Sequence, residues 1–279
     1  SYYARMDGED ADISISIREH YLPSRAGDSL PKGLIGSIVS VADRMDTICG
    51  CFGVGLIPSG AADPYALRRH ALAVIQILID RNWRIDLPEM VRFSLNLLGP
   101  RLTQDQATAE GQILDFFKAR FVNFHASRDF SLDVVEAAVR SGFVDVVDTR
   151  SRVEALNVWK QRKDFDAIMV GFKRVVNILK DGEFGNVNPS ILAEDAEKEL
   201  YGTFQTIKGS CAVAIESGDY QKALELLADL RLPIDAFFDN VMVMAEDQAI
   251  RRNRLALLGE IAAMFKNIAD FSFIGSTAG

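Results

Sequence analysis

Apolar residues recurring at helical spacing are the tightest constraint in this sequence. Between Tyr65 and Asp80, the side chains of Leu67, Ala71, Val74, Ile75 and Leu78 fall on one side of a helix. That i, i+3, i+4 arrangement buries one stripe and leaves the other side to water. Asp63-Pro64 in front of it is a start signal, because a proline in the first turn has no N–H to leave unpaired. Asn82 and the tryptophan after it close the segment. The same pattern recurs over Leu87 to Leu98 and Asp105 to Phe121, which Gly99-Pro100 separates. It recurs again over Leu132 to Val139 and Val144 to Lys160, divided by Ser141-Gly142.

A second block of helices begins near Asp164. Phe165, Ile168, Met169, Phe172, Val175, Val176 and Leu179 form one stripe, with Lys173, Arg174, Asn177 and Lys180 on or near the opposite side. A loop from Asp181 to Pro189 follows, then a helix for which Ser190 is the expected N-cap. Asp219 is expected to cap Tyr220 to Leu230, Pro233 to open Ile234 to Met244, and Asp247 to Ile268 to form the last long helix. Gly275 to Gly279 reads as a frayed tail. Strand alternation is nearly absent, so the expected fold is all-α. Two helical domains, 1–155 and 156–279, are expected to meet near residue 155.

Composition narrows the function classes. Of 279 residues, 48% are hydrophobic and 25% charged, the balance of a globular chain with a real core. The longest apolar candidate, Ala71 to Ile79, is too short for a membrane span and is broken by Gln76. The start, Ser1-Tyr-Tyr-Ala-Arg, lacks a secretory pattern, and with the first Met at position 6 the chain is expected to continue upstream. Cys49, Cys51 and Cys211 are too few for a disulfide framework and fit a reducing cytoplasm. Cys49-Gly50-Cys51 lacks the further ligands zinc needs, since His20, His70 and His125 are scattered, so no metal site is assigned. A net charge of −8 argues against indiscriminate coating of nucleic acid. Between Arg150 and Lys180, however, eight cations face three acids, a local excess that fits a polyanion contact or a solvated face equally well.

Catalytic constellations are not legible. The glycine-dense stretch Cys49 to Gly60 fails the dinucleotide fingerprint, because Pro58 breaks the spacing and a helix rather than a strand precedes it. It reads as a tight interhelical loop. Asp43 and Asp46, at i, i+3, suit a neighbouring arginine or a turn better than a metal. His20 reads as a structural hydrogen-bonding group. Arg68-Arg69 and Arg251-Arg252-x-Arg254 have the forks that suit phosphates, or pair with Asp63, Glu246 and Asp247.

Three stretches carry a resemblance. They are Val41-Ala-Asp-Arg-Met-Asp-Thr-Ile-Cys-Gly-Cys-Phe-Gly-Val-Gly-Leu-Ile-Pro-Ser-Gly60 with Asp63-Pro-Tyr-Ala-Leu-Arg-Arg69, the opening Tyr3-Ala-Arg, Asp7-Gly-Glu and Glu19-His-Tyr-Leu-Pro23, and Phe237 to Asp247 with Arg252-Asn-Arg-Leu-Ala-Leu-Leu258. The first two resemble the glycyl-tRNA synthetase β subunit, and the third resembles its helical anticodon-binding domain. The resemblance implies an HD-like helical region followed by a helical-bundle anticodon-binding domain, in what looks like the C-terminal part of a longer chain. It also implies that glycine activation with ATP and Mg²⁺ resides on a separate α subunit of an α2β2 assembly, with no cofactor and no catalytic residue in this chain. The implied partners are glycine tRNA and the α subunit. Arg162, Lys163, Lys173, Arg174, Arg251, Arg252 and Arg254 are expected to meet tRNA phosphates. Arg68 and Arg69 either face the acceptor side of the tRNA or brace the interhelical loop. Two other readings stand beside this one: an HD-type metal-dependent phosphohydrolase, for which Asp43 has no His-Asp partner, and a helical interaction scaffold.

Overall fold

The computed structural model describes residues 1–25, 27–60, 62–179 and 185–275. Lys180, the first four residues of the expected loop after it, and residues 276–279 of the expected tail lie outside that range. Among the described residues there are thirteen α-helices, three short 3-10 turns and no strand, with one isolated bridge between Ser59 and Ala62. The all-α expectation is therefore met. No helix of the described residues is long and apolar enough to cross a membrane.

Two compact units divide the chain, Ser1–Asp129 with Phe143–Arg150, and Phe130–Gly142 with Ser151–Gly279. The first holds α1 (Tyr2–Met6), α2 (Ala11–Glu19), α3 (Leu34–Gly53), α4 (Leu67–Asp80), α5 (Leu87–Leu98) and α6 (Gln106–Ala126). α3 is its axis and packs on α2, α4, α5 and α6. It buries Met45, Ile48, Cys49 and Phe52, and the whole stripe expected on α4 is buried with them. Carboxylates at the helix starts satisfy N–H groups that have no partner within the helix. Asp63 accepts from the N–H groups of Leu67 (2.8 Å) and Arg68 (3.0 Å), Asp86 from that of Glu89 (2.7 Å), and Asp105 from that of Thr108 (2.9 Å). Cys49 to Gly53 are the last turn of α3, so only the later half of the glycine-dense stretch is loop. Apolar packing of Ile48, Cys49 and Phe52 outweighs the helix-weakening glycines there.

Two buried side chains set the entry into α3. Glu19 accepts from the N–H groups of Lys32 (3.0 Å) and Gly33 (2.8 Å) at the start of that helix. A Cβ on Gly36 would lie 2.6 Å from the Glu19 Cβ, so the close approach requires glycine. Arg44, 4% exposed, donates to the carbonyls of His20 (2.8 Å), Tyr21 (3.0 Å) and Pro23 (3.1 Å) and to the Ser40 hydroxyl (2.6 Å). Burial lowers its pKa from the ordinary value. Its fork bonds carbonyls rather than Asp43 or Asp46, which are exposed and take no ion pair among the described residues. Of the two roles expected of this pair, an arginine or a turn, the ion pair with an arginine is not found among the described residues.

α7 (Leu132–Arg140), α9 (Phe165–Ile178), α10 (Asp195–Glu216), α11 (Tyr220–Ala228), α12 (Arg231–Asn240) and α13 (Gln248–Lys266) belong to the second unit, while α8 (Val146–Trp159) contributes residues to both. The core of the second unit is aromatic. Phe172 stacks on Phe265 at 3.8 Å, with Trp159, Phe165 and Phe271 around them. Arg152 is buried and donates to the carbonyls of Ala138 (2.7 Å) and Gly142 (2.6 Å) at the end of α7, where helical carbonyls run out of partners. Ser190 is not an N-cap. It sits in a 3-10 turn, Pro189–Ile191, and α10 is capped by Glu194 in a capping box with Glu197. α12 starts at Arg231 and stops at Asn240, so Pro233 lies inside its first turn and the expected extension to Met244 is not helical.

Two outcomes are expected. Gly36→Ala forces Glu19 off the α3 start and costs about 1–3 kcal/mol, measured as a lower urea midpoint. His125 is buried on α6 with the Arg150 guanidinium 3.3 Å from Nδ1, and burial first, then Arg150, pull its pKa down from 6.5 to about 4. The unfolded chain takes up the proton first, so this contribution is complete above pH 6.5 and is lost as pH falls through about 4. His125→Gln should flatten that part of the stability profile in denaturant titrations.

Candidate nucleic-acid interface

The marked cations of the second unit sit in three physical situations. Arg254 is 5% exposed, pairs with Glu197 and donates to the Met242 carbonyl at 2.7 Å. Its fork is consumed inside the bundle, which takes it out of the surface set. Lys173 is half-buried and donates to the Ile274 carbonyl at 2.8 Å. Lys160 and Arg152, counted in the basic stretch, are likewise used internally, Lys160 on Asp133 at 2.7 Å. The local excess of charge in the sequence is thus partly packing hardware.

Arg162 and Arg174 are at the surface but engaged. Arg162 makes two 2.9 Å bonds to Asp164, which raise its pKa and lower that of the carboxyl. Arg174 lies 4.5 Å from the centre of the Phe238 ring and 3.7 Å from Asp239. Lys163 and Arg252 are exposed, and Arg251 is half-buried. In the first unit, Arg68 donates to the Gly60 carbonyl at 2.7 Å and so braces the interhelical loop, one of the two roles expected of it. Arg69 is exposed, with a 3.5 Å contact to the Ser24 carbonyl.

One end of the second unit is built around Arg254. Glu197 accepts from the Ala193 (2.7 Å) and Glu194 (2.8 Å) N–H groups as well as from Arg254, so a single carboxylate ties the start of α10 to α13. Burial pushes the Glu197 carboxyl up, but the Arg254 guanidinium and the two N–H groups outweigh it and leave the pKa below the ordinary 4.5. Next to Arg254, Asn253 exchanges hydrogen bonds with the Asn188 backbone at 2.6 and 3.1 Å. With its carbonyl held, Met242 is 74% exposed, and Met244 is exposed two residues on. The chain then enters α13 at its Asp247 cap and reaches Arg251 and Arg252 in the next turn. Sequence reasoning missed both methionines, because a Val-Met-Val-Met run reads as a continuing apolar helix. It also missed Glu197, although the Glu194-x-x-Glu197 spacing was a visible capping signal.

Among the described residues, no group of three or more His, Cys, Asp or Glu side chains is placed to hold a metal ion. His20 is a helix C-cap whose ring lies 3.9 Å from that of Tyr21.

Residues 1–140 match the family model of the glycyl-tRNA synthetase beta subunit, and residues 168–274 match that of the DALR anticodon binding domain. This chain belongs to the glycyl-tRNA synthetase beta subunit family. It is 48% identical, over 98% of its length, to a protein of Geobacter metallireducens named glycine–tRNA ligase beta subunit. Proteins of the same name from Citrifermentans bemidjiense and Trichlorobacter lovleyi are 48% and 47% identical over 97% and 96% of the chain. The chain spans about two fifths of these relatives, 40%, 39% and 39% of their lengths. The end centred on Arg254 lies within the residues that match the anticodon binding domain.

Glu197→Gln leaves the Arg254 guanidinium buried against a neutral group and should cost about 3–5 kcal/mol, read from urea unfolding of this chain. Because the folded pKa lies below 4.5, the carboxylate's contribution is present above that value and is lost as pH falls below it. The variant should lose that acid-limb dependence.

Proposed function

We propose that this chain is the tRNA-gripping part of the β subunit of a two-subunit glycyl-tRNA synthetase, acting in the cytoplasm where tRNA is charged. In this reading the α subunit joins glycine to its tRNA with ATP and Mg²⁺ in an α2β2 assembly, and this chain contributes no reacting group. The observation that carries the reading is the braced end of the anticodon-binding domain. Arg254 and Glu197 hold Met242 outward, and the same stretch leads into Arg251 and Arg252. Exposed thioether side chains offer unstacked bases a polarisable apolar surface, while guanidiniums offer phosphates planar pairs of donors. Lys163 adds an exposed ammonium on the α8–α9 connection. Arg162 and Arg174 contribute less in this account, since Asp164 and Asp239 already offset their charge. Arg254 and Lys173 act as supports. Arg69 remains a candidate for the acceptor side of the tRNA, with Arg68 holding the loop beside it.

The phosphohydrolase reading lacks a donor set among the described residues, and a scaffold without a nucleic-acid role has no use for an anticodon-binding domain. The test is titration of glycine tRNA and an unrelated tRNA against the wild-type chain and its Arg252→Glu and Lys163→Glu variants across a salt series. Each variant should weaken glycine tRNA binding, and each cation–phosphate pair removed should reduce the slope of log K against log salt by about one. Arg162→Gln should have a smaller effect than Lys163→Gln. Unchanged binding in all variants would remove this surface from the interface.

A further inference from the structure

The buried guanidiniums of Arg44, Arg152 and Arg254 are spent on carbonyls and a carboxylate. That of Arg120, half-buried on α6, is not. Among the described residues it has no hydrogen bond and no ion pair, and its Nε is closed off from solvent. Burial first, then the charge of Arg68 at the start of α4, pull its pKa below the usual arginine value, with Asp63 opposing them. Asp63 offers no free oxygen, because its carboxylate is committed to the N–H groups of Leu67 and Arg68. Asp115, the nearest acid on α6, is turned about 140° around the helix and pairs with Lys118 at 3.0 Å. A desolvated donor beside a second cation costs stability unless an anion answers it. The helix dipole does not answer it either, since Arg120 lies more than a turn before the end of α6 at Ala126.

This guanidinium is nevertheless held in place. It lies 5.8 Å from the centre of the Phe116 ring, which packs in turn on Phe52. The pair repeats one turn on. Arg128, exposed just past the helix end, lies 4.8 Å from the centre of the Phe124 ring and has no ion pair among the described residues. Asp129 beside it is exposed, and its charge acts on His125. Phe116, Arg120, Phe124 and Arg128 thus alternate ring and guanidinium at i, i+4 along one edge of α6. Stacking occupies the face of a guanidinium and leaves its N–H edge for an anion. Two oriented, unpaired guanidiniums in a row, with Arg68 beside the first, suit a chain of phosphates better than a single carboxylate.

We infer that the Arg120–Arg128 edge of α6 is a second tRNA contact, on the first unit, that holds the sugar–phosphate backbone. The inference rests on the reading of the chain as the tRNA-gripping part of a β subunit. It adds to that reading a surface that positions the tRNA without reading its bases.

The experiment uses the full-length β subunit carrying this sequence, assembled with its α subunit. Glycine tRNA binding is measured across a salt series for wild type, Arg120→Gln, Arg120→Lys, Arg128→Gln and Arg252→Glu. Urea unfolding and α-subunit affinity are followed for each, and hydroxyl-radical footprints of the bound tRNA are compared. Arg68 is left intact because it braces its loop. Arg120→Gln is expected to weaken tRNA binding about tenfold and to reduce the slope of log K against log salt by about one. It should also remove one backbone footprint while the anticodon footprint stays. Its urea midpoint should hold or rise, because the substitution removes a charge that burial and Arg68 disfavour; a merely structural arginine would lower it. Arg120→Lys should keep the salt slope but not the full affinity, and Arg128→Gln should weaken binding less than Arg120→Gln.

Unchanged tRNA affinity and footprint in Arg120→Gln overturn the proposal. So does a lower urea midpoint that accounts for the lost binding, and so does a loss of α-subunit affinity with tRNA binding intact, which would assign the edge to a protein acid. Inorganic phosphate that raises the wild-type urea midpoint through Arg120, with tRNA binding independent of that residue, overturns it in favour of a free anion. If Arg252→Glu also leaves tRNA binding unchanged, the tRNA-gripping reading itself falls, an outcome distinct from a failure of Arg120 alone.

Discussion

Buried guanidiniums bonded to backbone carbonyls are the interaction on which this structure depends. A protein made only of helices leaves carbonyls unpaired at every helix end and in every connection, because it has no sheet to absorb them. Arg44 gathers the carbonyls of His20, Tyr21 and Pro23 onto α3. Arg152 takes those at the end of α7, and Arg254 takes that of Met242 after α12. A guanidinium has five donors in a fixed plane, so one side chain can pin several carbonyls at once and keep its charge well hydrogen-bonded in a dry place.

This use of arginine separates positioning from contact in the anticodon-binding domain. Arg252 and Arg254 are two residues apart, and on a helix that spacing turns them to different sides. One is exposed and the other lies on Glu197. The buried one determines where the Met242–Met244 segment sits. The exposed one is available to a polyanion. The net charge of −8 is compatible with this arrangement, because a polyanion contact needs a few well-placed cations rather than a basic protein.

Much of the architecture was legible in advance. The α4 stripe, the α5 bounds and the cap by Asp219 followed from local rules, since a cap or a stripe involves residues within a turn or two of each other. Errors came where tertiary contacts outweighed local preference. The glycine-dense end of α3 is helical because its apolar side chains are buried on α6 and the neighbouring helices, Phe52 against Phe116 at 5.2 Å. α10 is capped by Glu194 rather than Ser190 because the Glu197 carboxylate, held by Arg254, captures the N–H groups there.

The sequence by itself determined the helical class, most helix limits, the family and the inventory of cations, all of which are properties of short segments or of ordered motifs. Only the tertiary structure decided which cations are spent. Arg254, Arg152, Lys160 and Lys173 look the same in sequence as Arg252 and Lys163, and their difference lies in partners that can be dozens of residues away, Glu197 for Arg254 and Ile274 for Lys173. A charged side chain leaves the solvent only where distant chain segments supply enough hydrogen-bonding atoms to replace water. That supply exists only once the helices have packed.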